Sequence, residues 1–310
     1  MKFFNHLAIG VAGAALFAAN PVLAETQAET NVEAKGVDAP IANGDEGPAL
    51  WKVADEDTTI YLFGTVHVLP SELAWYDEEI AAALNSADTV VTEIAMDPQS
   101  EQAMQQMAIQ RGMFTDGTTL RSLLDDEQKA EYESALTGLG LPAAQLDQLE
   151  PWMVGLTLTM LPLLQQGYDV NSGADNVILA RAGETEKDAL ETAEFQLGIF
   201  DNLPQDKQVE FLMSAVENID NTKEMLDAMV AAWADGDADG LAEIMNASME
   251  DPDLAKALLY DRNANWAEWI DTRLETPGTV FIAVGAGHLA GELSVQDYLA
   301  ERDIATTRIQ

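Results

Sequence analysis

The stretch Thr59–Pro70, TIYLFGTVHVLP, carries a run of β-formers directly into Gly-x-x-His at Gly64–His67. Thr279–Gly291, TVFIAVGAGHLAG, does the same: a buried β run is followed by Gly285 and, three residues on, His288. In an α/β sheet, the loop after a strand's carboxyl end is where ligands bind. A glycine there permits a sharp turn at φ > 0 or a close approach to a ligand. The histidine three residues later then points across the end of the sheet. If the two strands are neighbours, His67 and His288 meet. The alternative is two separate buried imidazoles, each bonded to backbone.

Working outward, ALWKV and TIYLFG flank the polar ADEDT and read as a β-hairpin. SELAWYDEEIAAALNSA follows with helical spacing, Leu73, Tyr76, Ile80 and Leu84 on one face and Ser71 as N-cap. DTVVTEIAMDP reads as a short strand closed at Asp97-Pro98. The order strand, helix, strand suits a βαβ unit with parallel pairing. From about residue 100 to 275 the chain is mostly helical, interrupted by a short strand in KDALETAEFQLGIF. After the second Gly-x-x-His, SVQDYLAERDIATTRIQ supplies a last helix and an edge strand. The expected fold is α/β: a central mixed, partly parallel sheet with a large, mostly helical insertion.

Glu93 joins the two histidines as a candidate. It ends the apolar strand around Val90 and Val91, where an unpaired carboxylate is costly to bury. If that strand lies beside the one ending at His67, Glu93 reaches the same edge. Two imidazoles and a carboxylate form a usual ligand set for a catalytic divalent metal. The same trio also works without metal, the carboxylate orienting a histidine base. Arg262 stands on a helix beside Asn263 and Trp266 in a chain with few cations. It can hold Glu93 or a substrate carboxylate by paired hydrogen bonds, or pair at the surface with Asp261 or Asp271. Glu191 and Glu194 either face the site from a strand end or start a solvated helix. Asp175, in GADN, reads more simply as a turn or N-cap residue.

Residues 1–24 read as a secretory signal, with Lys2, an apolar run and a small-residue cleavage site at Val22-Leu23-Ala24. Its apolar run falls short of the roughly 20 residues of a spanning helix. Residues 25–47 are polar and without hydrophobic period, as in a tether, and 48–310 form the main domain. The third histidine, His6, leaves with the signal. The chain has no cysteine and so stands without disulfides. Fifteen Lys plus Arg against 54 Asp plus Glu give a net charge of −39. That field repels nucleic acid and anionic lipid, and the acids form no EF-hand pattern. The expected location is the periplasm or outside the cell, with no stable membrane insertion after cleavage.

LWKVADEDTTIYLFGTVHVLP, VVTEIAMD, ALETAEFQL, DRNANWAEWI and FIAVGAGHLAGELSV together resemble the TraB/PrgY/GumN family, over nearly all of 49–310. The family includes the animal Tiki proteins, metal-dependent proteases acting on secreted signals; the bacterial GumN branch is closest in pattern. The resemblance implies a site of His67, Glu93 and His288. It matches Arg262 and Asn263 to the family's RN element and Leu190 to Gln196 to its LET…EQL element, with Phe195 where many members carry Glu. It also implies the scaffold of erythromycin esterase and the haem-binding protein ChaN. The implied activity is an exported hydrolase, peptidase-like, using Mn, Co or Zn held by His67, His288 and Glu93. Gly64, Gly285, Glu191, Glu194 and Asn263 support that site. A peptide or other small molecule is the expected substrate. A metal-free hydrolase with a histidine base, and a periplasmic protein binding metal, haem or peptide, are the competing readings.

Overall fold

The computed structural model describes residues 47–248 and 251–310. The expected signal segment and the tether up to residue 46 lie outside them. Strands β1 (Leu50–Ala54) and β2 (Thr58–Thr65) form the expected hairpin, Leu50 opposite Phe63 and Ala54 opposite Thr59. Asp55 closes its turn by accepting from the Asp57 and Thr58 amides at 3.1 and 2.8 Å. The sheet continues with β4 (Thr89–Thr92), β6 (Glu186–Ala189), β7 (Gly278–Gly285) and β8 (Thr307–Arg308). The order across its six strands is β6-β4-β7-β2-β1-β8. The pairs β6/β4, β4/β7 and β7/β2 are parallel, while β1 runs antiparallel to both β2 and β8. The mixed, partly parallel sheet is as expected. One neighbour differs: the strand before Glu93 lies beside β7, which ends at His288, and not beside β2.

Alternation along β7 divides the core into two. Phe281 and Ala283 face a large cluster with Phe63, Trp75 and Trp233. Val280, Ile282 and Val284 face a smaller one with Trp266, Ile270 and Leu299. Two helices cover the smaller face, α11 (Asp261–Leu274) and α12 (Val295–Ala300). The larger face carries α1 (Glu78–Ser86) and the helical insertion. The insertion runs through α2 (Pro98–Arg111), α3 (Asp126–Gly138), α4 (Pro151–Gln165), α5 (Ala174–Ala182), α6 (Ala193–Asp201), α7 (Gln205–Asn218), α8 (Thr222–Ala234) and α9 (Ala238–Ser248). Thirteen residues of α4 are buried, which makes it the central helix of this layer. A short α10 (Pro252–Ala255) and a π-helical turn at Lys256–Tyr260 lead into α11. A two-stranded ribbon, β3 (Leu69–Pro70) with β5 (Tyr168–Asp169), lies outside the main sheet. No described helix is long and apolar enough to cross a membrane.

The helix after β2 starts later than its periodicity suggests. Asp77, not Ser71, is the N-cap and accepts from the Ile80 amide at 2.9 Å. The Ser71 hydroxyl bonds Glu72 instead. The aromatic residues before Asp77 are used as loop anchors: Trp75 stacks on Phe63 at 5.7 Å, and both are fully buried. Packing of those rings onto the sheet overrides local helical spacing.

The glycines of the two Gly-x-x-His motifs do not supply a left-handed turn. Gly285 has φ −50°, and Gly64 is not among the described residues with positive φ. Gly64 is needed for close approach: a Cβ there would lie 2.9 Å from the Ala286 Cα and 3.0 Å from its Cβ. The two motifs are therefore packed backbone on backbone. Gly64→Ala should push them apart and cost about 1–3 kcal/mol. Urea unfolding measures this, and an unchanged midpoint would contradict the close packing.

Candidate functional site

Each of the four parallel strands delivers a polar side chain at or just past its carboxyl end. His67 follows β2, Glu93 follows β4, Glu191 follows β6 and His288 follows β7. The β4/β6 ladder extends past the strands, with the Leu190 and Glu191 amides donating to the Thr92 and Glu93 carbonyls at 2.9 and 2.8 Å. This extension brings Glu191 level with Glu93. All four side chains belong to buried or nearly buried positions, Glu93 at 7% and His288 at 0% exposure.

Arg262 reaches into this group from α11 and is completely buried. Its five N–H groups are all directed at acceptors. Nε donates to Glu191 Oε1 at 2.8 Å, and Nη2 to Glu191 Oε2 at 2.9 Å and Glu93 Oε2 at 2.7 Å. Nη1 donates to the Leu258 carbonyl at 2.8 Å and meets His288 Nε2 at 3.1 Å. Burial would lower the Arg262 pKa, but Glu93 and Glu191 outweigh it and hold the group above its ordinary value. Glu93 also accepts from Gln196 at 2.9 Å and, through Oε1, from the Gly285 amide at 2.7 Å. Trp266 donates to Glu191 Oε1 at 2.9 Å and packs its ring on His288, centroids 4.2 Å apart.

The protonation of His288 follows from its neighbours. Asn263 donates its amide to the Leu293 carbonyl at 2.8 Å, so its oxygen is the acceptor facing His288 Nδ1 at 2.5 Å. Nδ1 therefore carries the proton, and Nε2 accepts from Arg262. Burial, then Arg262, then His67 push the His288 pKa well below the usual 6.5. His288 is a neutral ring with both nitrogens in use.

His67 occupies a different setting. Its Nδ1 lies 3.3 Å from Oδ1 of Asp175, which is 4% exposed and in the first turn of α5. His67, Asp175, Thr65, Thr92, Glu93, Met96 and Gln196 line a cavity of about 20 Å³, room for one water-sized guest. The Thr65 hydroxyl is buried there without an aligned hydrogen-bond partner.

The residues singled out in the sequence thus divide. His67, Glu93, His288, Arg262, Asn263, Glu191 and both motif glycines converge. Glu194 does not: its side chain is 68% exposed and pairs with Arg111 at 2.6 Å. Glu191 precedes the helix and turns inward, while Glu194, in the first turn of α6, turns outward. The surface alternatives for Arg262 are taken by other cations, Asp261 by Lys256 and Asp271 by Arg302. Sequence reasoning gave too little weight to Asp175 and Gln196, and it missed Thr65. Thr65, inside the first Gly-x-x-His, was the one with a readable signal.

A metal held by His67, Glu93 and His288 does not fit this arrangement. His288 has no lone pair to offer while Arg262 donates to Nε2, and a cation would have to sit beside a guanidinium. Among the described residues, no group of three or more His, Asp or Glu side chains is disposed to hold a metal ion.

Two outcomes follow. Arg262→Met leaves Glu93 and Glu191 buried without their counterion and should destabilise the protein by about 3–5 kcal/mol. Adding Glu93→Gln and Glu191→Gln should recover much of that loss in urea titrations; a loss below about 1 kcal/mol for Arg262→Met would contradict the network's role. For His288, the folded pKa is below the unfolded one, so the unfolded chain binds the extra proton. Stability should therefore fall as pH drops below about 6.5, by about 1.4 kcal/mol per unit from this residue. His288→Gln should flatten the stability curve by about 1 kcal/mol in all between pH 6.5 and 5.5, and by the full slope below that.

A curated relative from Treponema pallidum (strain Nichols), described only as an uncharacterized protein, is 22% identical over 269 residues, which covers 81% of this chain and 80% of the relative. No solved structure shows a significant match. The family model described as the TraB/PrgY/gumN family matches residues 49–308, almost the whole described domain, and the chain belongs to that family.

Proposed function

We propose that the protein is an exported hydrolase in which His67 is the general base, acting on a carbonyl substrate such as a peptide. The observation that carries this reading is the asymmetry between the two imidazoles. His288 is locked between Asn263 and Arg262, whereas His67 lines a water-sized cavity beside Thr65 and Asp175. In this reading, His67 takes a proton from a water as the water's oxygen bonds to the substrate carbonyl carbon. The same proton then passes to the leaving group as its bond to that carbon breaks. The Thr65 hydroxyl orients the water. Glu93, which accepts from Arg262, Gln196 and Gly285, stiffens the floor of the site. Arg262 has no N–H to spare for a substrate carboxylate. With two carboxylates around one guanidinium, the site favours neutral or cationic substrates over anionic ones.

A metal-dependent reaction using Mn, Co or Zn, with His67, Glu93 and His288 as ligands, is the second reading, suggested by the family to which the chain belongs. It requires the contact between His288 and Arg262 to open if His288 is to serve as a ligand. A periplasmic protein that binds metal, haem or peptide without turnover is the third.

One experiment separates them. Protein prepared from a periplasmic extract, with its N-terminus checked by mass spectrometry for a start at Glu25, is assayed on a peptide library with and without chelator. Its metal content is measured in parallel. The proposal expects hydrolysis that survives chelation and falls on the order of 10²-fold or more in His67→Ala. Activity abolished by chelator and restored by Mn, Co or Zn would replace it with the metal reading. Peptide or metal binding without turnover would leave only the third.

A further inference from the structure

We infer that Asp175 is a positioning residue for His67: it holds the proton on Nδ1 and leaves Nε2 as the basic nitrogen. The inference rests on reading His67 as the base, but its main observations are independent of any assay. The start of α5 is fastened to the first Gly-x-x-His at three points. The Ala174 amide donates to the Val66 carbonyl at 2.8 Å. Gly173 abuts the His67 carbonyl so closely that a Cβ at that position would sit on the carbonyl oxygen. Asp175 Oδ1 then faces His67 Nδ1 at 3.3 Å, with both side chains nearly buried.

Three consecutive residues thus fix the backbone of Val66, the backbone of His67 and the imidazole itself. The Asp175 oxygen is within ion-pair distance of Nδ1 but is not aligned as a hydrogen bond. Contacts of catalytic groups are often long or poorly aligned before substrate binds. A carboxylate can only accept, so the ring nitrogen facing Asp175 is favoured as the protonated one. A carboxylate fixing the tautomer of a histidine base is a general device, and its loss leaves geometry intact while removing the correct tautomer. The GADN segment is therefore more than a helix start: glycine permits the approach and aspartate selects the nitrogen.

The test uses the full chain labelled with ¹⁵N. It has three histidines; long-range ¹H–¹⁵N spectra resolve each ring, and His288→Gln and His6→Gln assign His288 and His6 by loss of their signals, which leaves the third set to His67. Wild-type His67 should carry its proton on Nδ1. In Asp175→Asn the amide can donate to Nδ1, and the proton should move to Nε2. The turnover number should fall on the order of 10²-fold or more with KM within about threefold. A proton on Nε2 of His67 in the wild type overturns the inference without recourse to any variant. So does Asp175→Asn that keeps both the Nδ1 proton and full turnover. If no substrate is hydrolysed at all, the hydrolase reading fails while the spectra still decide the role of Asp175. Circular dichroism melts establish that the variant is folded; if it is not, the wild-type spectrum decides alone.

Discussion

A single buried guanidinium organises this end of the sheet. Arg262 enters a space where two carboxylates converge, and each would be costly to bury alone. Its planar fork satisfies Glu191 through two N–H groups and Glu93 through a third. The remaining two, to Leu258 and His288, tie the helix turn behind it and the second histidine to the same group. A lysine, with a compact charge and three donors, cannot reproduce five directed contacts. The cluster also spans the topology. Glu93 and Glu191 come from adjacent strand ends, His288 from the next, and the arginine from the helix covering one face.

The parallel pairing makes such a cluster possible. Four strands ending on one side place their following residues within reach of one another, and close packing of the Gly64 backbone on Ala286 keeps the two histidine-bearing loops in register. Two environments result from one repeated motif. The loop after β7 lies under α11, where Asn263 and Trp266 enclose His288. The loop after β2 lies against the start of α5, where it meets Asp175 and a cavity.

Much of this was legible in the sequence, for physical reasons. The apolar β runs before each Gly-x-x-His mark buried strands, and a carboxylate at the end of a third strand demands a partner. In a chain so poor in cations, Arg262 was a natural candidate for that partner. What could not be read was which histidine would be spent on structure. That depends on Asn263 facing β7 across a helix, a contact between residues with no local relation in sequence. The misplacement of Glu194 has a similar origin. It lies close to Glu191 in sequence, but a helix begins between the two and turns the second outward. The late start of α1 reflects Trp75 and Tyr76, whose burial against the sheet outweighs their helical spacing.

The π-helical turn at Lys256–Tyr260 sits immediately before Asp261 and Arg262. Such a turn accommodates one extra residue in a helix, and one residue corresponds to roughly 100° of rotation about the axis. The helical phase of everything downstream is thus set by this wide turn. A single-codon deletion there would restore a regular helix while rotating Arg262, Asn263 and Trp266 together away from the strand ends. Residues next to them, such as the surface-exposed Asp261, would be carried toward the sheet instead. Chain length in this short segment is therefore under a stricter constraint than side-chain identity, and insertions or deletions tolerated in an exposed loop such as that at Gly117 would here dismantle the arginine cluster in one step.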